Sequence, residues 1–531
     1  MAKQMPAPGD VLGFPIERIG RFGACQILAL DSDKQQVTVA LLDWTGEQMP
    51  TLDDVADAPR FVKNFMFWND QEIVMHLALP VPVAYCSIGN LPLQGCSESN
   101  SYGGWGFGDL IARQYVWNAL PGELTQAFKA SLDSDALVTA PGLLCADNDQ
   151  PMQMRVRSAS RFSDDAAYRI SGDFNMASLH AWPLLHQVFL HAWRDDLIPF
   201  LCSAPLVTEL SLLKHDQREL DFSATCLERL VIDIEGLERL VLPKSLTTLI
   251  VHGQGAVKRF GAIDDRVDVL SQLAPDVRPM LTVVATQNGR WISLQATGTV
   301  PAVHGLDQLR GLLVAKVSEL DLAEVVDTLP HVEYLHLFGA PGTLSGLGSL
   351  SELPKLEALW FCDLFGYSPD DFPAPAALPS LTSLSLDSLP ADVAAAVRKA
   401  YKKAPQVDLT LSKPRKPEWL AENLDNPLRH WDGREGFAPA LVKKVHAAYI
   451  AALRQVREAE TVRVDEGAYS QRVTAAIAAF LEVIAGLNRK HGFLYTLERD
   501  EVIDAVNLLA ASLSAPARVA LDPLIEGALD D

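Results

Sequence analysis

One hydrophobic pattern recurs between residues 330 and 386. Each copy has apolar residues at its first, fourth and sixth positions, and the copies are Val332-x-x-Leu335-x-Leu337, Leu356-x-x-Leu359-x-Phe361 and Leu381-x-x-Leu384-x-Leu386. The copies begin 24 and then 25 residues apart. A period of this size predicts strand-and-turn units stacked in a row, a solenoid, and not one closed core. Because solenoids present long surfaces to other macromolecules, the pattern predicts a binding protein.

Weaker copies of the pattern occur nearer the N-terminus. They begin near Leu206 and include segments at 227–232, 246–251 and 309–314, with a Leu-x-x-Leu-x-Leu-Pro segment at 237–243 between the first two, whereas 252–305 interrupts the rhythm. This is the leucine-rich-repeat signature, and the shorter copies resemble the repeats of bacterial effector-type leucine-rich proteins. We expect an irregular leucine-rich-repeat solenoid over 201–412, with a helix near Ala391–Ala404 and a last strand near Asp408.

The residues between the leucines predict a binding site. Strand residues alternate between two faces, so these residues share the face opposite the core. Stacking the copies in register gives three columns, which are Gly311, Tyr334, Ala358 and Ser383, then Leu313, His336, Trp360 and Ser385, then Ala315, Phe338, Cys362 and Asp387. The predicted partner-binding residues are the aromatic side chains Tyr334, His336, Phe338 and Trp360, together with Asp387. The alternative is that a cap or segment 252–305 covers these side chains.

The rest of the chain divides into three further regions, so the fold class is α/β and multidomain. Residues 1–90 predict a small β module, since glycine-rich turns separate short strands with many β-branched residues. Residues 91–200 predict a mixed region that caps the first end of the solenoid. Residues 418–531 carry apolar residues at helical spacing and predict a bundle of antiparallel helices after a basic, proline-containing linker at 413–417.

Composition restricts the class of partner. The net charge of −22 argues against nucleic acid, which needs a basic surface. The acidity is explained either by solubility or by an acidic surface that attracts a basic protein partner. The N-terminus lacks a signal-peptide core, and the apolar stretches 79–86 and 473–487 are shorter than the ~20 residues of a membrane span. We therefore expect a cytoplasmic protein that does not contact the membrane.

No motif predicts a cofactor, a metal site or a catalytic residue. The seven cysteines are scattered without Cys-x-x-Cys spacing. The run Ser101–Gly108 is rich in glycine and aromatic residues, but no Gly-Lys-Ser/Thr follows it, so a loop is expected there and not a phosphate site. The pairs His186/His191 and His331/His336 have a spacing that keeps their rings apart. Asp164-Asp165 is expected in a solvated turn.

Two segments resemble known bacterial families. Gly9–Pro15 followed by Gly20–Gln26 resembles the opening of a small immunity-protein family from polymorphic-toxin loci. Asn426–Asp432 and the later run 488–501 resemble the "NPFRDW … HGFIDTxEREE" C-terminal module of bacterial proteins, some of them immunity-like, although His430 stands where that family has an acid. The resemblance implies a protein partner and no catalysis.

These observations lead to one functional hypothesis and two alternatives. We expect an immunity protein that binds a cognate bacterial toxin and neutralises it by occlusion, without a cofactor. The first alternative is an intracellular repeat scaffold or regulatory protein that binds a housekeeping partner. The second is an enzyme with its active site within 86–200. A toxin gene beside the gene of this chain would favour the first hypothesis.

Overall fold

The computed structural model describes residues 5–93, 98–145, 148–164, 168–252, 280–434, 436–461 and 465–529. Helices make up 34% and strands 29%, and the C-terminal region is helical, so the α/β class is confirmed. The chain divides into two compact units. The first runs to Ile250 and adds Leu281–Ser293, and the second contains the rest of the described chain.

The N-terminal part of the first unit is a β-sheet. Its elements are β1 (Asp10–Ile16), β2 (Arg21–Asp31), β3 (Gln36–Gly46), α1 (Leu52–Val55), β4 (Val62–Lys63), β5 (Gln71–Glu72), β6 (Val74–Ala78), β7 (Cys86–Asn90) and β8 (Tyr102–Gly103). The strand order is β7-β1-β2-β3-β6-β8, and all neighbours are antiparallel except β6 and β8. Alternating residues such as Phe14, Ile27 and Val39 form its buried core. The β-rich character predicted for this region is therefore present.

The remainder of the first unit contains short helices and strands. These are α2 (Phe107–Asn118), α3 (Gly122–Ser131), β9 (Leu137–Val138), β10 (Leu143–Cys145), β11 (Met154–Arg155), β12 (Arg161–Ser163), β13 (Tyr168–Ile170), β14 (Gln187–Leu190), α4 (Leu197–Ser203), β15 (Glu209–Leu212), β16 (Glu219–Asp221), β17 (Arg229–Asp233), β18 (Arg239–Val241), β19 (Thr248–His252) and β20 (Leu281–Val284). Phe107 and Ile111 of α2 pack on the core of the N-terminal sheet, which joins this region to it.

Parallel strands of the first unit form two ladders. In one, β12, β14, β15 and β17 pair in register, which aligns the buried Phe162, Val188, Leu210 and Leu230. This ladder starts at Arg161, inside the region predicted as a cap. The sequence did not reveal its first two strands, because β12 and β14 are too short to display the full repeat pattern. In the other, β16, β18 and β20 pair in parallel. The segment at 237–243 thus contributes a strand to a second sheet.

The second unit opens with a longer parallel ladder. Its elements are β21 (Ser293–Thr297), β22 (Val303–His304), β23 (Gly311–Asp321), α5 (Leu322–Thr328), β24 (Tyr334–Ser345), β25 (Ala358–Phe365), β26 (Ser383–Pro390), α6 (Ala391–Tyr401) and β27 (Asp408–Arg415). Strands β23 to β27 pair in sequence order. The repeat leucines of β24 to β26 are at most 1% exposed, so they form the core beneath the ladder. Strand β21 lies beside β23 in the interrupted segment 252–305, where no strand was predicted.

The predicted linker at 413–417 is wrong for most of its length. Lys413, Pro414 and Arg415 are the last residues of β27, and Pro417 opens a helix. Arg415 is buried, and its guanidinium forms an ion pair with Asp432. Pro414 has no N–H group to donate. This costs little here because β27 is the last strand in the sheet order.

The C-terminal region consists of helices. They are α7 (Pro417–Asn423), α8 (Pro439–Thr461), α9 (Glu466–His491), α10 (Thr496–Leu509), α11 (Ala515–Val519) and α12 (Asp522–Leu529). Asp465 caps α9 by accepting hydrogen bonds from the N–H groups of Gly467 and Ala468, and Gly492 ends the helix with a left-handed φ of 58°. Among the described residues, α9 alone is long and apolar enough to cross a membrane, with 44% of its apolar window buried. A core helix of a folded bundle meets the same criteria, although the sequence predicted a shorter segment.

Candidate binding surface

The ladder β23 to β27 has a face opposite its leucine core. We call "strand face" the three alternating positions on each strand that point away from this core, namely Gly311, Leu313 and Ala315, then Tyr334, His336 and Phe338, then Ala358, Trp360 and Cys362, then Ser383, Ser385 and Asp387, then Asp408, Thr410 and Ser412. All are at least partly exposed except Gly311. The leucines between them on β24 to β26 are buried, so the alternation assigns the two faces.

The pairing aligns two of the three predicted columns completely. Tyr334 pairs with Ala358 and Ala358 with Ser383, while His336 pairs with Trp360 and Trp360 with Ser385. The third column aligns Phe338, Cys362 and Asp387, but Ala315 does not pair with Phe338 because the register between β23 and β24 shifts after Val314. The prediction for Ala315 is therefore wrong, and the remaining aromatic and acidic residues do share one surface.

Trp360 is the centre of the aromatic patch, which consists of Tyr334, His336, Phe338 and Trp360. Its ring lies 5.5 Å from that of His336 and 4.9 Å from that of Phe338, and both neighbours meet it nearly at right angles, at 71° and 70°. Such edge-to-face contacts favour one orientation of the indole. Trp360 nevertheless remains 40% exposed, although it is large and apolar. Residues 253–279 of the proposed covering segment lie outside the described residues.

Tyr334 lies at the edge of the patch beside charged side chains. The guanidinium of Arg310 is 5.3 Å from the centre of its ring, and the Tyr334 hydroxyl donates to Glu357 at 3.3 Å. Arg310 also forms an ion pair with Glu333 at 3.3 Å. This arrangement combines an aromatic ring, a carboxylate and a guanidinium, which stabilise one another through cation–π and ionic interactions.

Asp387 gives the strand face a carboxylate next to the patch. It accepts hydrogen bonds from the Ser412 hydroxyl at 2.5 Å and from the Cys362 thiol at 3.5 Å, and the Lys413 ammonium lies 3.8 Å away. These contacts hold the carboxylate in one place while leaving it partly exposed. Its neighbours on the strand face are therefore the Ser412 hydroxyl and the Cys362 thiol. Among the described residues, the cation that pairs with it is the Lys413 ammonium, at a distance that is long for an ion pair.

Burial shifts the pKa of three side chains on the strand face, and it raises the pKa of the Tyr334 hydroxyl. It lowers the pKa of His336, so its imidazole is neutral at pH 7. It also raises the pKa of Cys362 to about 12, and the nearby Asp387 charge adds to that effect. The thiol therefore stays protonated and is a poor nucleophile. The strand face therefore presents apolar rings, a neutral imidazole, a protonated thiol and carboxylates.

The C-terminal motif 426–432 has a structural role that the sequence did not predict. Arg429 donates from Nε and Nη2 to the Asp363 carboxylate, at 2.8 and 2.5 Å, and Asp363 also accepts from the Ser388 hydroxyl at 3.0 Å. Arg415 donates to Ser388 at 3.1 Å. The motif thus ties the end of β25 and β26 to the helical region through charge-assisted hydrogen bonds.

The second motif, 488–501, meets the first. Glu501 accepts hydrogen bonds from His430 at 2.9 Å, from the Trp431 indole at 2.7 Å and from Arg434 at 2.8 Å. Burial alone would raise the pKa of Glu501, but these donors lower it overall. Arg434 also bonds Glu498 at 2.8 Å. The residues that carry the resemblance in this region are therefore largely engaged with one another inside the second unit.

Two expectations about the first unit need correction. Asp164 does lie in a turn, but its side chain is only 15% exposed, because it accepts from the His191 backbone N–H at 2.8 Å and pairs with the His191 ring at 2.7 Å. The run Ser101–Gly108 contains β8 and the start of α2, and the Trp105 indole donates to the Ala78 carbonyl at 2.9 Å, which anchors it. Asp109 in the first turn of α2 disfavours a bound phosphate.

The described residues contain no group of three or more His, Cys, Asp or Glu side chains placed to hold a metal ion. A shallow pocket of about 500 Å³ lies among the C-terminal helices and is lined by residues including Tyr495, Arg499 and Ile525.

No family model, no curated protein and no solved structure matches the chain.

Proposed function

We propose that this chain is a bacterial immunity protein whose parallel ladder is a leucine-rich-repeat solenoid and whose strand face binds a cognate toxin in the cytoplasm. The observation that carries the proposal is Trp360, a large aromatic side chain held by His336 and Phe338 and still 40% exposed at the centre of the face. Preoriented aromatic side chains are the usual anchors of protein interfaces.

The arrangement of the patch supports binding better than it supports catalysis. A toxin is neutralised by occlusion only if the complex is stable, and a nanomolar dissociation constant corresponds to about 12 kcal/mol. An interface of ordinary size reaches that value when a few rigid anchors contribute most of the energy. The ring contacts of Trp360 with His336 and Phe338 support such an anchor, because they favour one orientation of the indole.

The two sequence resemblances add the biological context. The opening at Gly9–Gln26 resembles an immunity family, and the 426–432 and 488–501 motifs resemble a module found in immunity-like proteins. Because the C-terminal motif residues contact one another internally, they support a shared fold for this region and leave the strand face as the surface for the partner.

The test is co-expression with the products of the neighbouring genes. Each neighbour is induced in a bacterial host with and without this chain, and cell growth and complex stoichiometry are measured. The proposal expects one toxic neighbour whose toxicity disappears when the chain is present in at least equal amount. If neither neighbour is toxic, or if a small amount of the chain neutralises a large excess through turnover, immunity by occlusion is wrong. A housekeeping protein recovered as the stable partner would favour the scaffold function.

A further inference from the structure

The charges of the strand face are of one sign. None of its positions holds lysine or arginine, whereas Asp387 and Asp408 are carboxylates on neighbouring strands. The partly buried His336 is neutral at pH 7, so it adds no positive charge. The aromatic rings present π faces, which attract cations. The face is thus both aromatic and negative.

The same ladder shows how such a face holds a cation. At its edge, Arg310 lies over the Tyr334 ring at 5.3 Å and pairs with Glu333 at 3.3 Å. Trp360 and Asp387 offer the same two groups, because Trp360 supplies an aromatic ring as Tyr334 does and Asp387 supplies a carboxylate as Glu333 does. Trp360 pairs with Ser385, and Asp387 lies two residues farther along the same strand, so the two positions are roughly 8 Å apart on the face. One long side chain spans that separation.

We infer that the strand face takes an arginine side chain from a basic segment of its protein partner, with the guanidinium over Trp360 and its N–H groups directed to Asp387. This inference rests on the proposed function. Arginine fits better than lysine because its planar guanidinium stacks on an indole and donates two parallel hydrogen bonds to one carboxylate. Asp387 is able to accept them, because each carboxylate oxygen has two lone pairs and the Ser412 hydroxyl and the Cys362 thiol use one on each. Among the described residues, Lys413 is the cation that pairs with Asp387, and it lies 3.8 Å away.

The experiment uses the full chain and three labelled peptides that share one Gly-Ser framework. One peptide carries arginines, the second lysines, and the third citrullines, which preserve the shape of arginine without its charge. Binding is measured by fluorescence anisotropy at ~0.15 M salt, where distant charges are screened. The test variants are Trp360→Ala, Trp360→Phe and Asp387→Asn. The matched controls are Tyr115→Ala, which removes an aromatic side chain 47% exposed in the first unit, and Asp370→Asn, which removes an exposed carboxylate away from the strand face.

The arginine peptide is expected to bind the wild-type chain, and Trp360→Ala and Asp387→Asn are each expected to weaken it by about five-fold or more. Trp360→Phe, which keeps a ring, should have a smaller effect, and both controls should remain within about two-fold of wild type. Circular dichroism verifies that each variant is folded. Absence of arginine-peptide binding, equal binding of the citrulline peptide, or equal losses in the controls would overturn the inference. Because no toxin enters this assay, its failure is separate from failure of the co-expression test.

Discussion

Arg429 is the side chain that connects the ladder of the second unit to its helices most directly. Its guanidinium donates twice to Asp363, and the two side chains are only 11% and 17% exposed. Charges that are this well buried lose their hydration and depend on each other for compensation. Removal of either partner is therefore expected to lower the stability of the fold, because it leaves the other side chain buried without a counter-charge.

We predict that Arg429→Ala lowers the free energy of unfolding by about 3 kcal/mol, because it leaves the Asp363 carboxylate buried and unpaired. Arg429→Lys should recover only part of that loss, since an ammonium cannot reproduce the two-pronged contact. The measurement is urea unfolding followed by the helical circular-dichroism signal. The control is Arg457→Ala, whose ion pair with Asp425 is more than half exposed and should contribute less than about 1 kcal/mol. Equal effects of the two substitutions would contradict the structural role of Arg429.

The sequence could predict Trp360 but not Arg429. Trp360 lies at an alternating position of a repeat, so its face follows from the spacing alone. Arg429 finds its partner at Asp363, 66 residues earlier in the chain, and no local pattern specifies such a pairing. The position of Asp387 beside Cys362 also followed from the spacing. Its contacts with Ser412 and Lys413 did not, because the sequence assigned Lys413 to a linker.

At the scale of the element, the long strands of the second unit bend where the chain leaves the regular ladder. Four residues on these strands have a φ between 45° and 56°, in the left-handed region, namely Lys316, Asp363, Ser388 and Lys413. The last three of them follow one another at intervals of 25 residues. Strand β24 has Gly339 at the corresponding place, and its φ lies outside the left-handed region. A Cβ atom on Gly339 would lie 2.1 Å from the carbonyl oxygen of Asp363, so the two backbones approach too closely for a side chain.

Gly339→Ala is expected to destabilise the second unit by about 3 kcal/mol, near the upper end for overpacking, because the obstructing atom is backbone and cannot rotate away. Gly348→Ala is the matched control, since a Cβ atom there meets nothing within 4 Å; its effect should stay within about 0.5 kcal/mol. The measurement is the urea concentration at the unfolding midpoint, compared between each variant and wild type. If Gly339→Ala unfolds at the wild-type midpoint, the bend does not require close backbone approach.

The repeats also show which elements a sequence pattern can reveal. Strands β24, β25 and β26 were predictable because each shows the full spacing of three buried apolar residues. Strand β21 was not, because only Leu294 and Ala296 are buried on it, and alanine carries little hydrophobic signal. The C-terminal helices were visible through their spacing, whereas the strand character of Lys413–Arg415 was hidden by its charges and proline.

At the scale of the whole molecule, the net charge of −22 produces a negative long-range field, and under the proposed function this field acts on a basic partner. We predict that association with the neutralised toxin slows as salt is raised from ~0.05 to ~0.5 M, while dissociation changes little, because screening acts mainly on the encounter. Surface-binding kinetics at several salt concentrations measure both rates. An association rate that does not depend on salt would assign the acidity to solubility alone.

If the strand face contacts the partner, Trp360 is covered in the complex. Hydroxyl-radical footprinting measures this directly as the rate at which Trp360 is oxidised. The partner is the gene product that the chain neutralises in co-expression. The chain contains its own control, because Trp68 is 45% exposed and Trp360 is 40% exposed, so both indoles oxidise in the free protein. Saturating partner is expected to slow the oxidation of Trp360 several-fold and to leave that of Trp68 unchanged. Oxidation of Trp360 at the same rate in the free chain and in the saturated complex would contradict contact at the strand face.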